Sequence, residues 1–154
     1  VWSKHLNAAL VYPNLYYFGM SNLGFQSLYA LFHSQGFNCE RFFLPDTDQW
    51  EEYRRTGETL LSLDTDRPAG DFDLIAFSIS YQNDCLNVPA LLRLMKLPLF
   101  SKERDEGHPI VIAGGPALTI NPLPVSLFLD AMVIGEGEEV TLEIARALEE
   151  NSSR

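Results

Sequence analysis

The chain has 154 residues, 46% of them hydrophobic and 21% charged, with 21 acidic against 11 basic side chains and a formal net charge of −10. These totals suit one soluble globular domain with a sizeable core. They exclude nucleic acid or an anionic membrane as the main partner, because no basic stripe exists to neutralise phosphates.

Residues 7–12, NAALVY, are an apolar run closed by Pro13 and are expected to form the first strand. A loop from Pro13 to Gly24 leads to a helix whose N-cap is Ser21 or Asn22. Phe25, Leu28, Tyr29 and Phe32 then fall at i, i+3, i+4 and i+7, one apolar face, and Gly36 ends the helix. Cys39 to Leu44 reads as a second strand stopped by Pro45. Trp50 and Tyr53 anchor a short helix capped by Asp46 or Thr47, and residues 60–70 read as a surface crossover. Residues 73–80 are the third strand, and Val88, Leu91, Leu92 and Met95 repeat after it at helical spacing. The fourth strand, residues 110–113, halts on Gly114, Gly115 and Pro116. Asn121 and Pro122 open a short helix through Phe128, residues 130–134 are the fifth strand, and a last helix carries Val140, Ile144 and Leu148 on one side.

Strand and helix alternate throughout, which implies right-handed βαβ units. The expected fold is α/β: a doubly wound, five-stranded parallel sheet in the order 2-1-3-4-5, flavodoxin-like or Rossmann-like, with helices on both faces. Ligands bind such sheets at the carboxyl ends of the strands. The loops gathered there lack both GxGxxG after the first strand and GxxxxGK followed by Ser or Thr. GEGEE resembles a glycine-rich phosphate loop only superficially, since its acids repel phosphate. A phosphorylatable receiver would need acids where Tyr12, Pro13 and Ser78 stand and a lysine where Gly135 stands. His5, His33 and His108 lie far from the carboxyl edge, so no catalytic Ser–His or Cys–His pair and no metal-ligating cluster is expected. Cys39 and Cys85 fit neither a disulfide framework nor a zinc knuckle; they read as buried thiols of a reducing, cytoplasmic compartment. No stretch has the length and hydropathy of a bilayer span, so no membrane partner is expected. Two readings stay open at Gly114 and Gly115, a tight strand-to-helix corner or a seat for a flat ligand, and likewise at Ser78 and Ser80, a local turn or a polar rim.

Taken in order, YPNLYYFGMSNLG, DLIAFSISY, IVIAGGPALTINP and VIGEGEE resemble the N-terminal cobalamin (vitamin B12)-binding domain of radical SAM proteins. The resemblance runs from about Ala9 to Glu139 and implies that a corrin ring lies flat on the carboxyl edge. It implies that Ser78 and Ser80 stand near the nucleotide tail, that Gly114, Gly115 and Pro116 let ring and tail pack against backbone, and that Gly135, Glu136 and Gly137 form the loop after the fifth strand. Met20, Ser21 and Asn22 match the loop under the ring. One departure is plain: DxHxxG, whose histidine ligates cobalt in better-known cobalamin domains, is absent, and residues 13–24 contain no histidine. The lower face of the ring is then left to water, to nothing, or to Tyr16, Tyr17 or Met20. The CxxxCxxC that holds a 4Fe-4S cluster for SAM is absent too. The resemblance therefore implies that residues 1–154 are a single non-catalytic module excised from a longer radical SAM enzyme, orienting cobalamin for methyl or electron transfer. Cluster and SAM belong to the barrel of the same polypeptide, its partner. The alternative is a cofactor-free structural or interaction domain docking on that barrel, favoured if Tyr16, Tyr17 and Met20 fill the space over Gly114.

Overall fold

The computed structural model describes residues 6–151, the side chains at 138, 139, 142, 145, 149 and 151 excepted. Strands β1 (Asn7–Leu15), β2 (Asn38–Leu44), β3 (Leu74–Ser78), β4 (Ile110–Gly114) and β5 (Ala131–Val133) pair in parallel in the order β2-β1-β3-β4-β5. This is the doubly wound α/β sheet expected from the alternating pattern. Helices α1 (Tyr16–Met20), α2 (Leu23–Ser34), α3 (Thr47–Thr56), α4 (Asn87–Leu94), α5 (Pro116–Ile120) and α6 (Gly137–Asn151) complete the fold.

Successive strand residues point to opposite faces, and the sheet divides two apolar cores accordingly. Ala9, Val11, Ile75, Phe77, Val111 and Ala113 join one core with Val88, Leu91 and Leu92 of α4. Ala8, Leu10, Tyr12, Leu74, Ala76 and Ile112 join the other with Phe25 and Phe32 of α2, and Ile144 and Leu148 of α6 pack against it. Both faces of the strands are thus occupied, which is why they read as continuous apolar runs.

Helix starts follow local chemistry. Asn22, not Ser21, caps α2, its side-chain oxygen accepting the Phe25 N–H at 2.9 Å. Asp46 caps α3 and exchanges hydrogen bonds with Gln49, a capping box. Two stretches expected as loop are helical. β1 runs on through an irregularity after Tyr12 to Leu15 and passes straight into α1; Pro116–Ile120 likewise makes a single helical turn, α5. Single turns carry too few residues to show a period, so the pattern of apolar spacing misses them. Residues 123–128 form a 3-10 helix, and Asn121 Oδ1 accepts the Leu123 N–H at 3.2 Å. β3 stops at Ser78, two residues earlier than expected, because Ile79 turns to β4: its N–H donates to Gly114 O at 2.9 Å and its O accepts from Ala117 N at 3.2 Å. The crossover at 60–70 also covers the outer edge of β2, where Leu63 N donates to Arg41 O (2.8 Å) and Arg41 N to Asp64 Oδ2 (2.7 Å). Covering an edge strand this way blocks pairing with other chains.

Candidate functional site

A cleft of about 1280 Å³ opens between α2 and α6 at the carboxyl end of the sheet. Leu10, Ala76 and Ile112, three strand residues on one face, make its floor; Leu28 and Leu31 of α2 and Val140 and Ile144 of α6 line its walls. Ala76 keeps the floor low, because its methyl group sits between two larger neighbours in β1 and β4, Leu10 and Ile112. Three strand ends rim the cleft: Ser78 and Ser80 at the end of β3, Gly114, Gly115 and Pro116 where β4 passes into α5, and Gly135, Glu136 and Gly137 where β5 leads into α6. Asn22 closes the rim at the start of α2.

The sequence-derived set is therefore brought together with two exceptions. Met20 and Ser21 stand outside the cleft lining. The Ser21 hydroxyl donates to Tyr17 O at 2.7 Å, and the Met20 sulfur accepts from Gln26 Nε2 and from an Arg41 guanidinium nitrogen. Tyr16, Tyr17 and Met20 do not line the space over Gly114 either. Tyr16 packs edge-on against Phe43, Tyr17 against Phe18, and all three aromatic rings of α1 are exposed.

The glycines of the rim serve different ends. At Gly115, φ is +117° and a Cβ would stand 2.4 Å from Ile79 O, so the β3 and β4 loops interlock backbone to backbone and only glycine fits. A Cβ on Gly114 would meet Val133 at 3.3 Å. Both absences of a side chain are accounted for by the chain itself, and the tight corner and the rim of the cleft turn out to be the same object. Gly135 differs: φ is +101° with open space around the missing Cβ.

Beneath the rim lies a polar cluster that the sequence pattern does not single out. Tyr12, fully buried at the end of the apolar part of β1, has its phenol within reach of both Asn22 and Ser80. Burial pushes that phenol above its usual pKa, so it stays neutral. Asn22 Nδ2 donates to Ser80 Oγ at 3.1 Å and to Tyr12 Oη at 3.5 Å. Beyond Ser80, Gln82 Nε2 donates to Ala117 O at 2.7 Å, fastening the β3 loop to α5. Asp84 is buried too; its Oδ1 accepts from Asn14 Nδ2 at 2.8 Å while Oδ2 has no partner, and burial raises its pKa above the ordinary carboxylate range.

Neither described histidine approaches the cleft. His33 stacks edge-on against Tyr29 on α2, and His108 contacts Asp105 at 2.8 Å before β4; His5 lies outside the described residues. Both cysteines are buried and free, and burial lifts the Cys39 thiol to about 12. Among the described residues there is no cluster of His, Cys, Asp and Glu able to hold a metal ion, and no helix is long and apolar enough to cross a membrane.

Residues 24–154 match the family described as radical SAM proteins, N-terminal. The chain is 25% identical over 141 residues to the uncharacterized protein MJ0966 of Methanocaldococcus jannaschii, covering 90% of this chain and 26% of that protein. It is also similar to solved structures of the radical S-adenosylmethionine methyltransferase TsrM from Kitasatospora setae. With cobalamin and a [4Fe-4S] cluster bound, that enzyme matches with TM-score 0.58 and 17% identity, over 96% of this chain and 25% of the other. With tryptophan and a SAM analogue bound, the match has TM-score 0.55 and 18% identity, over 94% and 26%. At these identities the likeness is one of fold. The chain spans about a quarter of the length of each of these proteins.

Proposed function

The chain belongs to the N-terminal family of radical SAM proteins, and on that premise we propose that it is the cobalamin-binding module of a longer radical SAM enzyme. The observation that carries this reading is the open cleft at the carboxyl edge, rimmed by Asn22, the two serines and both glycine turns. Its volume, about 1280 Å³, exceeds the roughly 300–1000 Å³ of pockets for drug-sized ligands. An apolar floor under a rim of hydroxyls, an amide and glycine backbone, with the Glu136 carboxylate at one corner, suits a large ring with amide edges and a long tail. The likeness to TsrM, solved with cobalamin bound, supports the same assignment.

In this reading bound cobalamin supplies a cobalt centre that can accept a methyl group or an electron. The residues of this chain bind and orient it. Ser78 and Ser80 offer hydroxyls to polar edges, the interlocked backbone at Gly115 and Ile79 gives a fixed shelf, and Gly135 leaves room for close approach. Residues 13–24 contain no histidine, and Met20 and Ser21 stand off the cleft, so of that loop Asn22 would be the residue beside the bound group. The 4Fe-4S cluster and SAM belong to the barrel of the same polypeptide. The carboxyl edge is the face that barrel covers: Tyr17 (75% exposed), Leu23 (81%), Ile120 (78%) and Leu123 (76%) project from its loops, an apolar display that a partner buries.

That exposed edge also favours a second reading, in which the domain docks on the barrel without a cofactor. Hydroxocobalamin separates the two. Mixed with the full chain at high micromolar concentration and passed through gel filtration, it co-elutes with the protein and changes its visible spectrum if the first reading holds. Colour that stays with the small-molecule fraction overturns the first reading and leaves the second.

A further inference from the structure

The side chain of Asn22 makes two kinds of contact that serve different ends. Its Oδ1 accepts the Phe25 N–H and caps α2, an ordinary helix-start role. Its Nδ2 reaches away from the helix, to Ser80 Oγ on the β3 loop and Tyr12 Oη on β1. β1 and β3 are neighbours at the point where the strand order reverses, the crevice in which such sheets bind ligands. The β3 loop is held firmly on its other flank, by Ile79 to Gly114 and Ala117 and by Gln82 to Ala117. On the α2 flank the amide group of Asn22 provides the tie.

We propose that Asn22 is a positioning residue that sets the mouth of the cleft, its amide NH2 holding the Ser80 hydroxyl and the Tyr12 phenol in one arrangement while its carbonyl oxygen caps α2. Tyr12 Oη also stands within hydrogen-bond reach of Ser80, so the three side chains fix where the Ser80 hydroxyl sits on the rim of the cleft. Tyr12, buried and out of reach of the ligand space, backs this arrangement without touching what binds. Asn22 itself stands on the rim, and the part of its effect on a bound corrinoid that runs through Ser80 is what a double variant isolates. The inference rests on the cobalamin reading for its ligand, but not for the tie itself.

Asn22→Ser separates the two roles. Serine caps a helix about as well as asparagine, yet its hydroxyl is too short to reach Ser80 or Tyr12. The full chain is compared as wild type, Asn22→Ser, Ser80→Ala and the double variant, by thermal unfolding, by titration with hydroxocobalamin and by amide hydrogen exchange at residues 79–82. The expected result is that Asn22→Ser keeps its Tm within about 2 °C, binds hydroxocobalamin about five- to tenfold more weakly and exchanges faster at residues 79–82. The double variant then loses less affinity than the two single variants together, since both changes break one tie. Unchanged exchange and affinity in Asn22→Ser overturn the proposal and leave Asn22 a helix cap only, as do fully additive losses in the double variant. If the wild type binds no hydroxocobalamin, the cofactor reading fails while the exchange measurement still decides the tie.

Discussion

The two faces of the sheet are built from similar residues and end in different states. On one face Phe77, Val111 and Ala113 lie fully buried under α4 and the segment after β4, and a smaller hollow of about 520 Å³ is confined to the ends of β1 and β2, beside Leu44, Trp50 and Asn87. On the other, Leu10, Ala76 and Ile112 face a space that α2 and α6 border without filling. The strand sequences do not differ in apolar character from face to face. What differs is the cover: α4 and the segment after β4 pack over one face, whereas on the other α2 and α6, which meet at Leu28 and Gly137, leave a cleft at the carboxyl end. Burial on the closed face therefore stabilises the fold, and burial given up on the open face is available to a ligand.

The largest expected effect breaks the closed face. Phe77→Ala, at a side chain 2% exposed, is expected to cost about 3–5 kcal/mol in denaturant unfolding, a transfer loss plus a cavity. The same substitution on each face then gives the sharpest contrast. Ala113→Leu forces three extra heavy atoms into packed space and is expected to cost about 1–3 kcal/mol. Ala76→Leu, at a side chain 6% exposed on the cleft floor, is expected to cost less than Ala113→Leu and to weaken hydroxocobalamin binding by narrowing the cleft. Equal destabilisation by the two would mean that the cleft is not open. Between the faces, at the rim, Gly115→Ala strains φ and collides with Ile79, for about 1–3 kcal/mol; Gly135→Ala meets no neighbour and costs less. Thermal unfolding of the two glycine variants side by side checks that order.

The smallest effect concerns pH. Burial holds the Asp84 carboxyl above the ordinary range, so in that window the native chain keeps a proton the unfolded chain has released. Stability contributed there falls as pH rises from about 4 through the raised native value. The Tm difference between Asp84→Asn and wild type is expected to grow as pH rises through that window, a comparison in which the opposite contributions of Asp64 and Asp105 cancel.

Much of this was legible in the sequence, for physical reasons that also mark the limits. Apolar runs ended by Pro45 and Gly114 marked β2 and β4, and the alternation of strand and helix carried the order, whereas β1 runs past Pro13 to Leu15; the carboxyl ends of β3, β4 and β5 bring all eight residues expected there into one cleft. The loop after β1 was harder to read. A helix of one turn has no period, so α1 was hidden, and with it the turn that carries Met20 and Ser21 away from the rim. Tyr12 was hidden for a different reason: in a strand of buried residues a tyrosine reads as core, and only the fold reveals that its hydroxyl meets Asn22 and Ser80. The need for Gly115 was visible, its cause was not, because Ile79 is distant in the chain and comes into contact only when β3 and β4 pair.

The interlock at Gly115 and Ile79 has a thermodynamic corollary. Two loops that would otherwise each lose conformational freedom on meeting a ligand have lost it together at folding, so association incurs little further ordering. Calorimetry of the loaded cleft should then record the negative heat-capacity change of apolar surface leaving water, without the large unfavourable entropy of a segment folding around its guest.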